Sequence, residues 1–189
     1  GNNVTVTLQA RDAAGNNLST GGSSVVFSRS GGTSTGTFSA VTDNTNGTYT
    51  ATFTGVLAGT ATTVNATVNG TNVTSPRPAI TVTPGAISAA NSLVTVASGV
   101  VQSGSSVSLG LQARDAAGNT VTLGGATVVF NYSGGTSTGT IGSTTDNGNG
   151  TYSAGFLGVL AGTATTITAT VNGTPVTTTL PTLTVTPGA

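Results

Sequence analysis

The chain has 189 residues, 35% of them hydrophobic and 29 of them glycine; four Arg and four Asp are the only charged side chains, and Cys, Lys, Glu and His are absent. Binding to nucleic acid needs clustered cations against phosphate, and anionic membranes attract polybasic segments, so neither partner is expected. Disulfides and thiolate metal sites are excluded, and no apolar run approaches the roughly 20 residues of a membrane-spanning helix.

From the first residues onward the pattern is that of strands. Val4, Val6, Leu8 and Ala10 alternate with Thr5, Thr7 and Gln9, which predicts a half-buried strand over 4–10. Short strands are expected next at 18–20, 24–28 and 37–41, and a clear alternation through Tyr49, Ala51 and Phe53 predicts one over 48–54. Val64, Ala66 and Val68 mark a strand over 62–69, and Ile80 and Val82 another over 79–83. Clusters of Gly, Asn, Asp and Pro between these runs supply turns, and helical spacing is nowhere evident. Val, Ile and Thr dominate, and β-branched side chains suit a pleated surface. About seven short strands are expected of a small β-sandwich.

The pattern then starts again. LQARDAAGN at 8–16 returns unchanged at 111–119, SGGTSTGT at 30–37 returns at 133–140, GVLAGTATT at 55–63 at 158–166, and TVTPGA at 81–86 at 184–189. The offset is 103 residues throughout, without insertion or deletion, and 57 of 86 aligned positions are identical. A module of about 100 residues is a common domain size, so two domains are expected, 1–86 and 87–189. The second carries a leading segment, 87–103, in which 93–101 reads as a first strand. Gly1 aligns with Gly104, which leaves the first module short of those 17 residues at one edge. Unpaired edges recruit other strands. Three accounts of that edge are open: an array cut within a repeat, a strand not placed, or a strand donated by a neighbouring molecule. With no export signal at its start, the chain is expected to be an internal fragment.

The run RDAAGN, then GG, VVF, SGGTSTGT, TDNGNGTY and AGTATTITATVNG resembles the bacterial immunoglobulin-like repeats of the invasin and intimin adhesins, especially invasin's third extracellular domain type. The resemblance covers essentially the whole chain, twice. It implies an all-β fold of two tandem immunoglobulin-like antiparallel sandwiches, located outside the cell on a bacterial surface. The function it implies is that of structural spacer repeats in the stalk of a large adhesin, projecting a binding tip whose host receptor the sequence does not reveal. Partners would be neighbouring repeats or identical subunits end to end. The rival expectation is a subunit of an extracellular homopolymeric fibre, joined by strand complementation between neighbours.

Chemistry-bearing residues are few. Asp12 and Asp115 each sit in a DAAGN loop, where Asp accepts backbone hydrogen bonds; in related repeats a linker aspartate at a joint sometimes holds calcium, and hard cations need several oxygen ligands. Arg11 and Arg114 precede them, which licenses no more than a weak surface pair. Asp43 and Asp146 open TDN turns that end in Tyr49 and Tyr152, read as turn caps followed by a residue like a tyrosine corner. A calcium loop of the EF-hand type would need a terminal Glu, and there is none. Arg29 and Arg77 are replaced by Tyr132 and Leu180 in the second copy, and surface drift or a partner contact accounts for them equally. Nine N-x-Ser/Thr sequons, at Asn3, Asn17, Asn46, Asn65, Asn69, Asn72, Asn131, Asn149 and Asn172, are read as turn and strand residues of an Asn- and Thr-rich chain. Ser and Thr nucleophiles abound, but the His, Lys, Cys and Glu that activate them are missing, and GGTSTGT lacks the Lys of a phosphate-binding loop. No enzyme activity, cofactor, metal site or catalytic residue is therefore expected.

Overall fold

The structure, a computed structural model, describes residues 3–188; Gly1, aligned with Gly104 at the opening of the repeat, and Ala189, which ends the second copy, lie outside the described residues. The chain divides into two compact units, Gly1–Thr83 and Pro84–Ala189. Every regular element among the described residues is a strand.

Unit 1 contains β1 (Asn3–Gln9), β2 (Val25–Ser30), β3 (Gly36–Phe38), β4 (Thr42–Asp43), β5 (Thr48–Gly55), β6 (Thr62–Val68), β7 (Thr71–Asn72) and β8 (Ala79–Ile80). One antiparallel sheet runs β1-β5-β3, with β4 also on β5; the other runs β2-β6-β7, with β8 on β6. Alternation decides which side chains enter the core. Tyr49, Ala51 and Phe53 of β5 are buried while the threonines between them are half-exposed, as the twofold period of a strand requires. Phe38 packs against Phe27 across the sandwich, ring centroids 6.1 Å apart, and against Phe53 at 5.0 Å.

Unit 2 contains β9 (Leu93–Val96), β10 (Val100–Gln102), β11 (Ser106–Gln112), β12 (Val128–Ser133), β13 (Thr138–Ile141), β14 (Thr145–Asp146), β15 (Thr151–Leu160), β16 (Thr165–Val171), β17 (Thr174–Pro175) and β18 (Thr182–Thr186). Its sheets are β13-β15-β11-β9, with β14 on β15, and β10-β18-β16-β12, with β17 on β16. Leu109, Phe156, Ile167 and Leu183, contributed by both sheets, are fully buried in one continuous core. The aromatic contact is rebuilt from other positions: Tyr132 and Ile141 stand where unit 1 has Arg29 and Phe38. Tyr132 meets Phe156 edge-on at 5.6 Å, and its hydroxyl donates to the Gly139 carbonyl. One ring per unit thus fills this part of the core from either of two positions.

Two expectations are corrected. Residues 18–20 form no strand: Leu18 N donates to the Ala10 carbonyl to close the DAAGN loop, and the chain then runs irregularly to the glycine pair. The strand expected at 93–101 is two strands. β9 pairs antiparallel with β11 in one sheet; the chain turns at Ser98–Gly99, where Ser98 Oγ takes the Val100 N–H, and β10 then joins the other sheet parallel to β18. The strand expected over 62–69 is present as β6 and is the first arm of a hairpin to β7. Asn69 and Gly70, with φ of 50° and 82°, form its two-residue turn, which Asn-Gly favours because both positions need positive φ.

Candidate functional site

The four aspartates are the chain's only acidic side chains, and the fold uses each as an acceptor of N–H groups. Asp12 takes the main-chain N–H groups of Ala14 and Asn16 and the Asn16 amide. Those hydrogen bonds, the Asn16 side chain first, hold its pKa below the ordinary carboxylate value. Asp115 repeats the loop with Ala117 and Asn119 and adds one partner, the Gly85 N–H at 2.8 Å. Burial pushes its pKa up, but the hydrogen bonds from Gly85 and Asn119 outweigh this and the net shift is downward. Asp115 thereby fastens the first residues of unit 2, and Ile87 bridges to the same residue. Carboxylate oxygens surrounded by N–H donors are matched to anion solvation, not to a cation. No group of three or more acidic or other metal-ligating side chains converges among the described residues.

The other two aspartates join segments far apart in sequence. Asp43 accepts the Gly22 N–H and, across its own turn, the Thr45 N–H; Asp146 does the same with Gly125 and Gly148. The preceding glycines, Gly21 and Gly124, lie so close to the carboxylates that a Cβ would stand 2.3 Å from an oxygen. This explains the GG pair, which sequence inspection left without a role: one glycine makes room and the next donates. Beside this latch the buried Tyr49 and Tyr152 accept the N–H of Ser23 and Ala126 on their hydroxyl oxygens. Asn69 and Asn172, two of the sequon residues, accept the N–H of Ser24 and Thr127. These are structural roles for polar residues in turns. Arg77 reaches the Asn65 side chain at 2.6 Å, and Arg29 is within 3.5 Å of the Ser34 carbonyl.

A large concavity lies in unit 1. It has a volume of about 1010 Å³ and runs along the outer edge of β1, between the two sheets, with the chain from Asn72 to Ile80 as its far wall. Leu8, Phe27, Ala66, Val68, Val73 and Ile80 line it and are all half-buried. Their counterparts in unit 2, Leu111, Phe130, Ala169, Val171, Val176 and Leu183, are all buried. The core of unit 1 accordingly separates into two clusters, one around Phe53 and one around Tyr49, where unit 2 has a single cluster.

Two-layered antiparallel sandwiches repeated along one chain define a class of modular immunoglobulin-like proteins. Within that class the chain belongs to the family of invasin domain 3, whose model matches residues 1–85 and again 88–188. Solved structures agree. The chain is similar to the Escherichia coli adhesin FdeC at 29% identity and a TM-score of 0.58, covering 100% of this chain and 60% of that one. It is similar to Yersinia pseudotuberculosis InvD at 27% identity and a TM-score of 0.51, covering 98% and 53%. The fold is also that of invasin, a bacterial integrin-binding protein, at 24% identity and a TM-score of 0.55, covering 97% and 36%. The chain thus spans less than two thirds of the length of these structures. No curated protein sequence matches it.

Proposed function

We propose that the two units are spacer repeats of a bacterial cell-surface adhesin, located outside the cell and holding a binding region away from the envelope. The observation that supports this most is repetition: one sandwich occurs twice at a constant offset of 103 residues, and both copies fall to the same adhesin domain family. Repeats of this kind behave as a series of modules, each with its own core. Asp115 contributes by tying Gly85, in the segment 84–86 that opens unit 2, to a loop of that unit. The absence of Cys and Met leaves no sulfur to oxidise, which suits long exposure outside a cell. With the acidic side chains engaged in loop closure, the units supply length and not chemistry.

The test is calorimetric. The chain should unfold in two separable transitions, assignable by hydrogen exchange to the two units, and replacing residues 84–86 with a flexible linker should leave both in place. A single transition that survives the linker replacement would mean that the halves share one core, and the spacer reading would fail.

A further inference from the structure

We propose that the Asn69–Gly70 and Asn172–Gly173 turns are sites of spontaneous covalent modification, at which the folded chain loses ammonia from Asn and gains a carboxylate. The inference is independent of the spacer reading, because it concerns the chemistry of two turns. Five Asn-Gly pairs occur, at residues 46–47, 69–70, 147–148, 149–150 and 172–173. A glycine after Asn leaves its main-chain nitrogen free to approach the side-chain amide, since no Cβ stands in the way. All five pairs share that chemistry, so the folded chain ranks them by what holds each one and by the cost of opening it locally.

The step balances with water alone. The Gly70 nitrogen gives its proton to solvent base and bonds to Cγ of Asn69. The Cγ–Nδ2 bond breaks, and the amide nitrogen takes a proton from solvent and leaves as ammonia. One water then opens the cyclic imide. Cleavage at Cγ returns an aspartate, whereas cleavage of the main-chain bond leaves residue 69 joined to Gly70 through its side chain, as an isoaspartate with a longer backbone path. Residues 172 and 173 react in the same way.

The other three pairs are held. At Asn147 the Gly148 N–H donates to the Asp146 carboxylate at 2.8 Å, so the attacking nitrogen is engaged and a neighbouring anion opposes loss of its proton. At Asn46 the amide oxygen accepts the N–H and the hydroxyl of Thr48, at 3.0 and 2.6 Å, and Asn149 does the same with Thr151. The Gly47 carbonyl accepts the Ala10 N–H and the Gln9 amide, and the Gly150 carbonyl those of Ala113 and Gln112. Both glycines are buried, and a Cβ on either would collide with the carbonyl of Leu18 or Val121. Ring closure there must rotate a peptide that all these contacts fix, and small departures from attack geometry are costly.

The two hairpin tips differ on each count. Asn69, Gly70, Asn172 and Gly173 are exposed, and a Cβ on either glycine would meet nothing within 4 Å. Among the described residues the Gly70 and Gly173 N–H groups have no hydrogen-bond partner. Each Asn is held from one side only, by a pair of bonds with the main chain of Ser24 or Thr127. Breaking that pair frees the side chain while β6 and β16 keep their other partners. An aspartate product retains an oxygen for the Ser24 or Thr127 N–H, whereas an isoaspartate lengthens the two-residue turn and shifts it off that partner. Either product adds one negative charge to a chain whose formal net charge is zero.

The full 189-residue chain is incubated in heavy-oxygen water near neutral pH, well below its unfolding midpoint, and mapped over successive weeks by peptide mass spectrometry. Isoaspartyl methyltransferase labelling identifies the isomer. Expected is conversion at 69 and 172, with solvent oxygen incorporated, at least about tenfold faster than at 46, 147 and 149. Mildly alkaline buffer should accelerate it, and in the urea-unfolded chain the five rates should converge. Asp146→Ala should raise conversion at Asn147 severalfold and leave Asn69, in the other unit, unchanged. Five equal rates in the folded chain, conversion led by 46, 147 or 149, or no conversion at 69 and 172 while the unfolded chain reacts would each overturn the assignment. An Asn147 rate indifferent to Asp146→Ala would overturn the argument that ranks the pairs. None of these results bears on the calorimetric test of the spacer reading.

Discussion

Asp115→Ala separates a fastening role from ordinary loop capping, because Asp12 provides a matched control in the same chain. Asp115 is 5% exposed and accepts four hydrogen bonds, from the main-chain N–H groups of Gly85, Ala117 and Asn119 and from the Asn119 amide. A hydrogen bond to a charged acceptor contributes about 1.5–3 kcal/mol net. The four share one carboxylate, and several donors lie where water reaches them, so they do not add. A loss of about 3 kcal/mol from unit 2 is expected, a fall in its midpoint of roughly 10–20 °C for a domain of this size. Asn at 115 should do little better, since its amide nitrogen would face N–H donors. Asp12→Ala, on a carboxylate exposed to solvent and without the Gly85 partner, should cost clearly less. Urea denaturation followed by circular dichroism gives the magnitudes, and hydrogen exchange around residues 84–88 locates the effect. The reasoning is refuted if Asp115→Ala costs under about 1 kcal/mol, or if the two substitutions cost the same.

Two further outcomes follow from the same geometry. Thr45 is a β-branched residue with φ of 60° where unit 2 has Gly148 at 73°; Thr45→Gly should stabilise unit 1 by about 0.5–1 kcal/mol, relief of left-handed strain exceeding the added freedom of the unfolded chain, and a lower urea midpoint would disprove it. The folded pKa values of Asp12 and Asp115 lie below the usual 3.8, so in that range the unfolded chain binds more protons and stability rises with pH. Urea midpoints should decline as pH falls through 3.8; a midpoint that rises on acidification would contradict this sign.

The strands were legible wherever alternation ran for several residues, as through Tyr49, Ala51 and Phe53, because a twofold period has one physical cause. The repeat was legible because identity at a constant offset needs no structural inference at all. The link between GG and TDN was hidden: Gly22 and Asp43 are 21 residues apart, and the signal is a missing Cβ, which looks like any other loop glycine. The tyrosine following the turn did suggest a corner, and its hydroxyl does take a backbone N–H. The switch of sheets at Ser98–Gly99 was hidden for a different reason. Both halves of 93–101 have strand composition, and only the need to close two layers at once divides them.

That division explains why a short segment matters so much to the module. A strand confined to one sheet covers one edge, whereas a segment that pairs first with β11 and then with β18 joins the two layers. Its inward side chains, Val94 and Val101, enter the same core from opposite sheets. Apolar burial contributes about 25 cal/mol per Å², so six side chains passing from half-buried to buried between units 1 and 2 represent a gain of several kcal/mol, set against ordering the segment. Unit 1 has two clusters where unit 2 has one. In unit 2 the leading segment pairs with both sheets and packs its apolar side chains into their single core.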